Sequence, residues 1–561
     1  MQLADPDSPN PPKIERAAKI TGWRIHLYYW TRNPHILIWS AAIIIGIGAL
    51  IGWQSQAKDP QAALVEMFKK AFGFRRGMPD EDGQKVSLPE ELLKPTPQID
   101  RVITALKMRD TYDRSAISDV TDALKVSRLT PADKSLALAY WESLASRLGE
   151  PGADLLFLAI QAKPMPFANE LVGDFYITKQ QTTDRALQYY ERELAVRPNA
   201  EQVRRRILAT YYQKQDFAGL GKLAKDPGYE KLITPVIALE IAMRHRDWAA
   251  LWPPLLALQK ENFTQRTPVI LSCVAGAVWL LLAWQMGQPK GLFSFIIWAP
   301  LVAIPLGAAS TLPVLFLDVY QSESWGLKHT GLFFQDCLFF IAGVGVREEL
   351  CKLLFFLPLV PFLLARKNRL EMIIVAGCVG LGFAVEENLS YFRQGDPSSA
   401  FARFLTANFF HFAATGIIGL ALCDTLRDLR GKWWKFPATY LVVAAAHGFY
   451  DAFISVPAYL FVALGLSCFI LLSLVFFREV ARERGAATDQ IFPAATLILG
   501  LAVLVATILI CASREYGFEF ALDALWSGAL SLTIFIYMFY ILFRDGLQED
   551  EPIVAPVYDM H

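Results

Sequence analysis

The chain is 561 residues long and 54% hydrophobic, with a mean hydropathy of +0.31. Soluble domains are about 45–50% apolar, so the excess excludes an ordinary water-soluble globule and points to membrane helices. Lysine plus arginine equals aspartate plus glutamate, 54 of each, which gives no basic excess of the kind that marks a nucleic-acid partner.

Residues 1–34 form a basic arm with Lys13, Arg16, Lys19, Arg24 and Arg32, expected to be cytoplasmic. Residues 35–53 are the first apolar run and are long enough to span. This run reads as an anchor, although Ser55-Gln56-Ala57 faintly resembles a cleavage site.

Residues 54–265 differ in kind: charges are frequent and no stretch is long enough to span. Within Asp184–Pro198, Ala186, Tyr190 and Pro198 stand at tetratricopeptide-like offsets. The stretch reads as a soluble, TPR-like helical domain that stacks repeats around a groove for a peptide or protein. The alternative is an all-helical domain without a repeat groove.

From residue 267 the chain is almost all apolar. Spans are expected near 267–286, 291–318, 331–364, 371–391, 404–424, 436–455, 459–477, 491–512 and 521–543, ten with the first. The expected fold class is therefore all-α: a polytopic membrane bundle of about ten spans with an inserted soluble helical domain. Residues 266–330 hold two additional spans, 331–455 a core, 456–543 three C-terminal spans and 544–561 a cytoplasmic tail with acidic Gln548–Glu551. The basic segments 1–35, 365–369, 427–435 and 478–484 then fall on one side, which the positive-inside rule makes cytoplasmic. Both termini are expected in the cytoplasm of a multi-pass cell-membrane protein, with 54–265 outside.

The chemistry is concentrated in the core. Glu348, Glu349 and Lys352 lie inside an apolar run, and spacings of four and three put the amine beside both carboxylates on a helix. A charge at the bilayer centre costs on the order of 2.5–3.5 kcal/mol on insertion scales, so such groups face a protected interior. Two close carboxylates seldom both ionise in a dry site, which is one way to make a general acid or base. Glu386-Glu387-Asn388 close the next span, His411 lies early in the one after, and His447 and Asp451 stand four apart on a fourth. Two histidines with one or two glutamates suit zinc with a water in the open position. Glu387, His411, His447 and Asp451 fall in the outer half of the membrane, with Glu348 deeper unless its helix bends. Asp336 and Asp424 read as interfacial.

These residues resemble the PrsW family of intramembrane proteases, within the superfamily of the CAAX-processing endopeptidases. Glu348, Glu349 and Lys352 meet its Glu-Glu-x-x-Lys motif. Phe383, Glu387, Asn388 and Tyr391 meet the second motif, His411 after Arg403 the third, and His447 with Asp451 the fourth. The resemblance covers about 300–455. It implies peptide-bond hydrolysis, the substrate being a single-span membrane protein such as an anti-sigma factor, cut near the outer face. Glu348, Glu349, Lys352, Glu387, His447 and Asp451 would be catalytic, with Glu348 as base and Glu349 its partner. In a metal version His411, His447 and Glu387 hold zinc. In a metal-free version a glutamate activates water directly, and Asn388, His447 and Asp451 serve substrate and oxyanion. The competing readings are a non-catalytic membrane scaffold of the same superfamily and a proton-coupled transporter. No repeat relates two halves of 267–543, as many transporters would show.

Overall fold

A computed structural model describes residues 23–56, 92, 95–107, 114–145, 150–177, 182–394, 398–455, 459–484 and 491–544. Lys13, Arg16, Lys19, Ala57 and Gln548–Glu551 lie outside them. The described residues are helical or in turns. Two compact units form, one of residues 1–73 and 255–561, the other of 74–254.

The 74–254 unit has helices Pro131–Ala145, Ala153–Ile160, Ala168–Phe175, Thr183–Val196, Glu201–Gln213, Phe217–Leu223 and Pro235–Arg244. They run from seven to fifteen residues and no repeat signature is found, so the TPR-like expectation is corrected to a non-repeating helical unit. A local polar network, rather than a contact recurring at a fixed period, organises its middle. Glu193 is fully buried and accepts from the amides of Phe167 (2.8 Å) and Glu170 (3.2 Å) and from Arg197 (2.5 Å). Arg197 also reaches Glu170, Arg206 bridges Glu170 and Asp174, and Tyr190 donates to Asp174. Burial, then the charge of Asp174, holds the Tyr190 phenol well above its usual range.

In the other unit, five helices among the described residues are long and apolar enough to cross a membrane: Pro34–Gln54, Arg266–Gly287, Phe295–Trp325, Ser399–Arg427 and Pro493–Tyr516. This corrects the expected ten. Residues 331–364 are not one helix. They break into Phe333–Leu338, a π-helical turn Phe339–Gly345, Val346–Phe356, a 3₁₀ turn Leu357–Leu359 and Val360–Arg366, and they carry Arg347, Glu348, Glu349 and Lys352. Arg369–Gln394 carries Glu371, Glu386 and Glu387. Lys435–Ser455 is diluted by Lys435, His447 and Asp451. Tyr459–Glu483 and Phe518–Arg544 include side chains outside the described set, and the described part of the last supports only the shorter apolar helix Leu532–Arg544. Five such helices among the described residues do not give the even number of spans that would put both termini on one side.

The core of this unit is aromatic. Trp279 is fully buried, donates from Nε1 to the Phe404 carbonyl (2.7 Å) and is ringed by Phe404, Phe409, Phe412, Phe539 and Phe543. At one end, Arg369 pairs with Asp424 and with Glu483 (2.7 Å), and Lys435 reaches the same Asp424 (2.5 Å). These ion pairs staple the starts of Arg369–Gln394 and Lys435–Ser455 to the ends of Ala407–Arg427 and Tyr459–Glu483. Asp424 is buried, as is Asp336, which accepts from the Thr330 amide.

The broken run is locked to Lys435–Ser455 by two facing glycines. A Cβ on Gly345 would meet the Ala444 carbonyl and the Gly448 amide, and one on Gly448 would meet the backbone of Phe340 and Ile341. Tyr440 then donates to the Val346 carbonyl (2.7 Å). This close approach sets the level at which Glu348 and Glu349 meet His447. Gly448→Ala is expected to destabilise by about 1–3 kcal/mol through overpacking, read as a lower thermal midpoint in detergent. An unchanged midpoint would mean that the two backbones do not touch.

Candidate active site

Four elements supply the site: Val346–Phe356, Arg369–Gln394, Ala407–Arg427 and Lys435–Ser455. All four are packed within the bundle, so their polar groups need partners to offset desolvation. Lys352 is the centre. Its side chain is fully buried, and its ammonium donates to Glu349 Oε1 (2.9 Å), Glu348 Oε2 (3.3 Å) and His411 Nδ1 (2.8 Å). The Phe383 ring lies beneath the ammonium, with Nζ 4.0 Å from the centroid, a favourable place for a desolvated cation.

The spacings of three and four in Glu348-Glu349-x-x-Lys352 thus yield two short contacts on one helix. The adjacent glutamates do different work. Glu349 is 1% exposed, and besides Lys352 it faces His447 Nδ1 (2.9 Å) and accepts from Thr415 Oγ1 (3.2 Å). With Nδ1 donating to Glu349, His447 turns Nε2 toward Asp451 Oδ2 (3.5 Å) and Glu348 Oε2 (3.8 Å). An ammonium offers only donors, so His411 Nδ1 accepts from Lys352 and its Nε2 carries the proton toward Glu387 Oε2 (3.1 Å).

Glu387 also accepts from Arg403 Nη2 (2.6 Å), whose Nε donates to Asn388 Oδ1 (2.5 Å) and whose guanidinium lies over the Tyr391 ring (3.7 Å). Asn388 is fully buried, and its amide donates to Asn408 (2.6 Å), so both its ends are engaged. The side chains of Glu387 and Asp451 are 23% and 30% exposed, against 9% or less for Glu348, Glu349, Lys352 and His447. They form the more exposed edge of the site.

Seven of the eight candidate site residues therefore fall in one connected cluster: Glu348, Glu349, Lys352, Glu387, His411, His447 and Asp451. Asn388 joins it through Arg403. Glu348, His411 and His447 can each turn one ligand atom to within 4.8 Å of the others, as a metal ion requires. Two imidazoles and a carboxylate, all buried, match by donor type the set that holds catalytic zinc. Glu349 behind His447, and Glu387 behind His411, are the carboxylate supports that metal-bound imidazoles commonly have. Lys352, however, reaches two of the three ligand residues, so its ammonium and a metal ion compete for the same donors.

Sequence reading passed over Thr415, Asn408, Arg347 and Tyr440, and used Arg403 only as a landmark. Thr415 is four residues after His411 and Asn408 three before it, a helical-face signal that was present in the sequence. Arg347 is buried and holds Asp318 (2.8 Å) and Gln321 (2.9 Å); only folding brings those residues together.

Residues 288–478, about a third of the chain, match the family model described as PrsW family intramembrane metalloprotease. Neither a curated protein nor a solved structure matches the chain. These residues form a PrsW-family domain, and the chain is a polytopic membrane protein with a PrsW-like intramembrane protease site whose candidate metal triad is Glu348, His411 and His447. Removing one partner of a buried ion pair costs about 3–5 kcal/mol. Lys352→Met is therefore expected to lose about that much stability in chemical denaturation, whereas Lys435→Met, a third exposed at the opposite end, should lose less. Equal losses would deny Lys352 its central place.

Proposed function

We propose that this protein is an endopeptidase that cuts single-span membrane proteins of the anti-sigma-factor kind, at a site in the extracytoplasmic half of the cell membrane. The convergence of Glu348, His411 and His447 in one buried cluster carries the reading.

Sidedness rests on which groups gather at which end. Arg369, Lys435 and the end of Ala407–Arg427 lie at one end of the unit, tied by Asp424. Exposed Arg427, Arg430 and Lys432 lie close by in the chain. A basic end is the cytoplasmic one by the positive-inside rule. Glu387 is eighteen residues from Arg369, and His411 sixteen from Arg427, distances of about 27 and 24 Å along a helix. Both fall in the half away from the basic end, where a substrate segment leaving the bilayer would be met. By the same rule the basic arm from Lys13 to Arg32 puts the N-terminus in the cytoplasm, and the one span Pro34–Gln54 puts residues 54–265 on the other side, where they would recruit or sense a protein substrate.

The chain's own groups divide the work. Glu349 fixes the His447 tautomer, and Glu387 with Arg403 fixes His411. Glu348 has fewer partners than Glu349 and faces His447 Nε2, which suits it to take a proton from the attacking water. In the metal-free version His447, protonated on both nitrogens between Glu349 and Asp451, would face the charge that develops on the scissile carbonyl oxygen. In a metal version a zinc ion held by Glu348, His411 and His447 would supply Lewis acidity and a more acidic water, and Glu348 would then be a ligand rather than the base. In that version Lys352 yields its contact with His411 Nδ1 and keeps Glu349.

The test is cleavage in liposomes of a panel of single-span membrane proteins. Wild type is compared with Glu348→Gln, Glu349→Gln and His447→Ala, with and without a zinc chelator. Cleavage by wild type and its loss by 100-fold or more, roughly the span of one general-base contribution, is the expected result for Glu348→Gln. Loss with chelator and recovery with zinc selects the metal version, while indifference to chelator selects the glutamate-only one. A folded protein that cuts no candidate sinks the proposal.

A further inference from the structure

Adjacent residues on a helix point about 100° apart, and Glu386 does not face the site that Glu387 enters. It is 5% exposed and turns to Thr311, Gln259 and Asn262. Gln259 Nε2 also donates to Thr311 Oγ1 (3.0 Å), and Thr311 Oγ1 donates to the Ala308 carbonyl (2.7 Å). Seven residues after Glu386, two turns along the same helix, Arg393 pairs with Glu261 (2.7 Å) and donates to Asn262 Oδ1 (3.2 Å). One turn of the helix Trp252–Asn262 therefore holds the end of Arg369–Gln394 at two points.

We propose that Glu386 is a positioning residue. With Arg393 it forms a clamp by which Gln259, Glu261 and Asn262 set the rotation of the helix that presents Glu387 and Asn388. The proposal rests on the protease reading for its consequence in catalysis.

Three observations support it. A carboxylate buried beside the side-chain amides of Gln259 and Asn262 is stabilised only while those donors stay near it, so the contact is directional in a way that a leucine would not be. The clamp acts where rotation matters most, since Glu387 and Asn388 are the next two residues and both are engaged by Arg403. Finally, the clamping helix is the one in which the chain passes between the units, Pro254 closing one and Leu255 opening the other.

The experiment uses the full chain in liposomes and the substrate that wild type cuts best. Glu386→Gln keeps the hydrogen-bonding outline and should retain kcat within about twofold. Glu386→Leu should lower kcat by roughly tenfold or more with KM unchanged, as small displacements of reacting groups do. Hydrogen exchange of residues 383–394 should rise in Glu386→Leu and stay at the wild-type level in Glu386→Gln. Gln259→Leu should reproduce the Glu386→Leu effects, and the double variant should be no worse than either, because the two residues act as one unit. Wild-type kcat and exchange in Glu386→Leu would overturn the clamp, as would additive losses in the double variant. If wild type cuts nothing, the protease reading fails by itself. The exchange and the double-variant comparison, repeated on thermal midpoints, then still decide whether the clamp exists.

Discussion

One buried ammonium holds the catalytic elements together. Lys352 sits at zero exposure with Glu348, Glu349 and His411 as partners and the face of Phe383 beneath it. Each of these charges would be costly alone in a dry interior. Together they neutralise one another across three helices, and His447 joins through Glu349. The arrangement explains why the broken run 333–366 is tolerated in an otherwise regular bundle. The π-helical turn before Glu348 and the 3₁₀ turn after Lys352 free that segment from a single straight axis. It can then sit against Gly448 at the level of His447, where a straight helix would leave Glu348 deeper than its partners. Such π-helical insertions are frequent at functional sites.

The bundle uses charge in two ways at its two ends. At the basic end, Arg369, Asp424, Lys435 and Glu483 make ion pairs between helix termini, partly open to solvent, and their work is to fix the helices side by side. At the site end, carboxylates and imidazoles are each shared by several partners. His411 lies between Lys352 and Glu387, and Glu387 between His411 and Arg403. A chain of this kind has little freedom to rearrange one member alone, which is what a preorganised site requires. The same linkage makes Lys352 the member that decides between the two chemistries, because a metal ion would draw on the donors that the ammonium now uses.

The site was legible in the sequence to the extent that helical spacing defines it. Glu348 with Lys352 and His447 with Asp451 stand four apart, and charged groups inside apolar runs had little reason to be there except for one another. What joins different helices was not legible. Thr415, Asn408 and Arg403 look ordinary until Ala407–Arg427 and Ser398–Leu405 are packed against the acidic helices. The number of spans failed for a related reason. Apolar composition marks segments that avoid water, but a helix surrounded by other helices avoids water without itself matching a bilayer. Arg369–Gln394 can carry three glutamates because its neighbours, rather than lipid, receive them. The repeat reading failed because a few residues at tetratricopeptide-like offsets do not fix what they pack against. The middle of that unit is instead set by the buried Glu193 and its arginines.

Two pairs of adjacent acids, Glu348-Glu349 and Glu386-Glu387, show how far a sequence dyad is from a spatial one. On a helix the second member of each pair points about 100° from the first. In the first pair both members still touch Lys352, but Glu349 spends its oxygens on His447 and Thr415 while Glu348 keeps the looser contacts. In the second pair the members part company: Glu387 enters the site and Glu386 faces the helix Trp252–Asn262. A carboxylate available for chemistry is therefore distinguished less by its position in a motif than by how few fixed donors surround it. By that measure Glu348 is the freer member of the first pair and Glu349 the more tightly held one. Glu386 is tightly held as well, and its neighbour does its work only while Glu386 keeps the shared helix from turning.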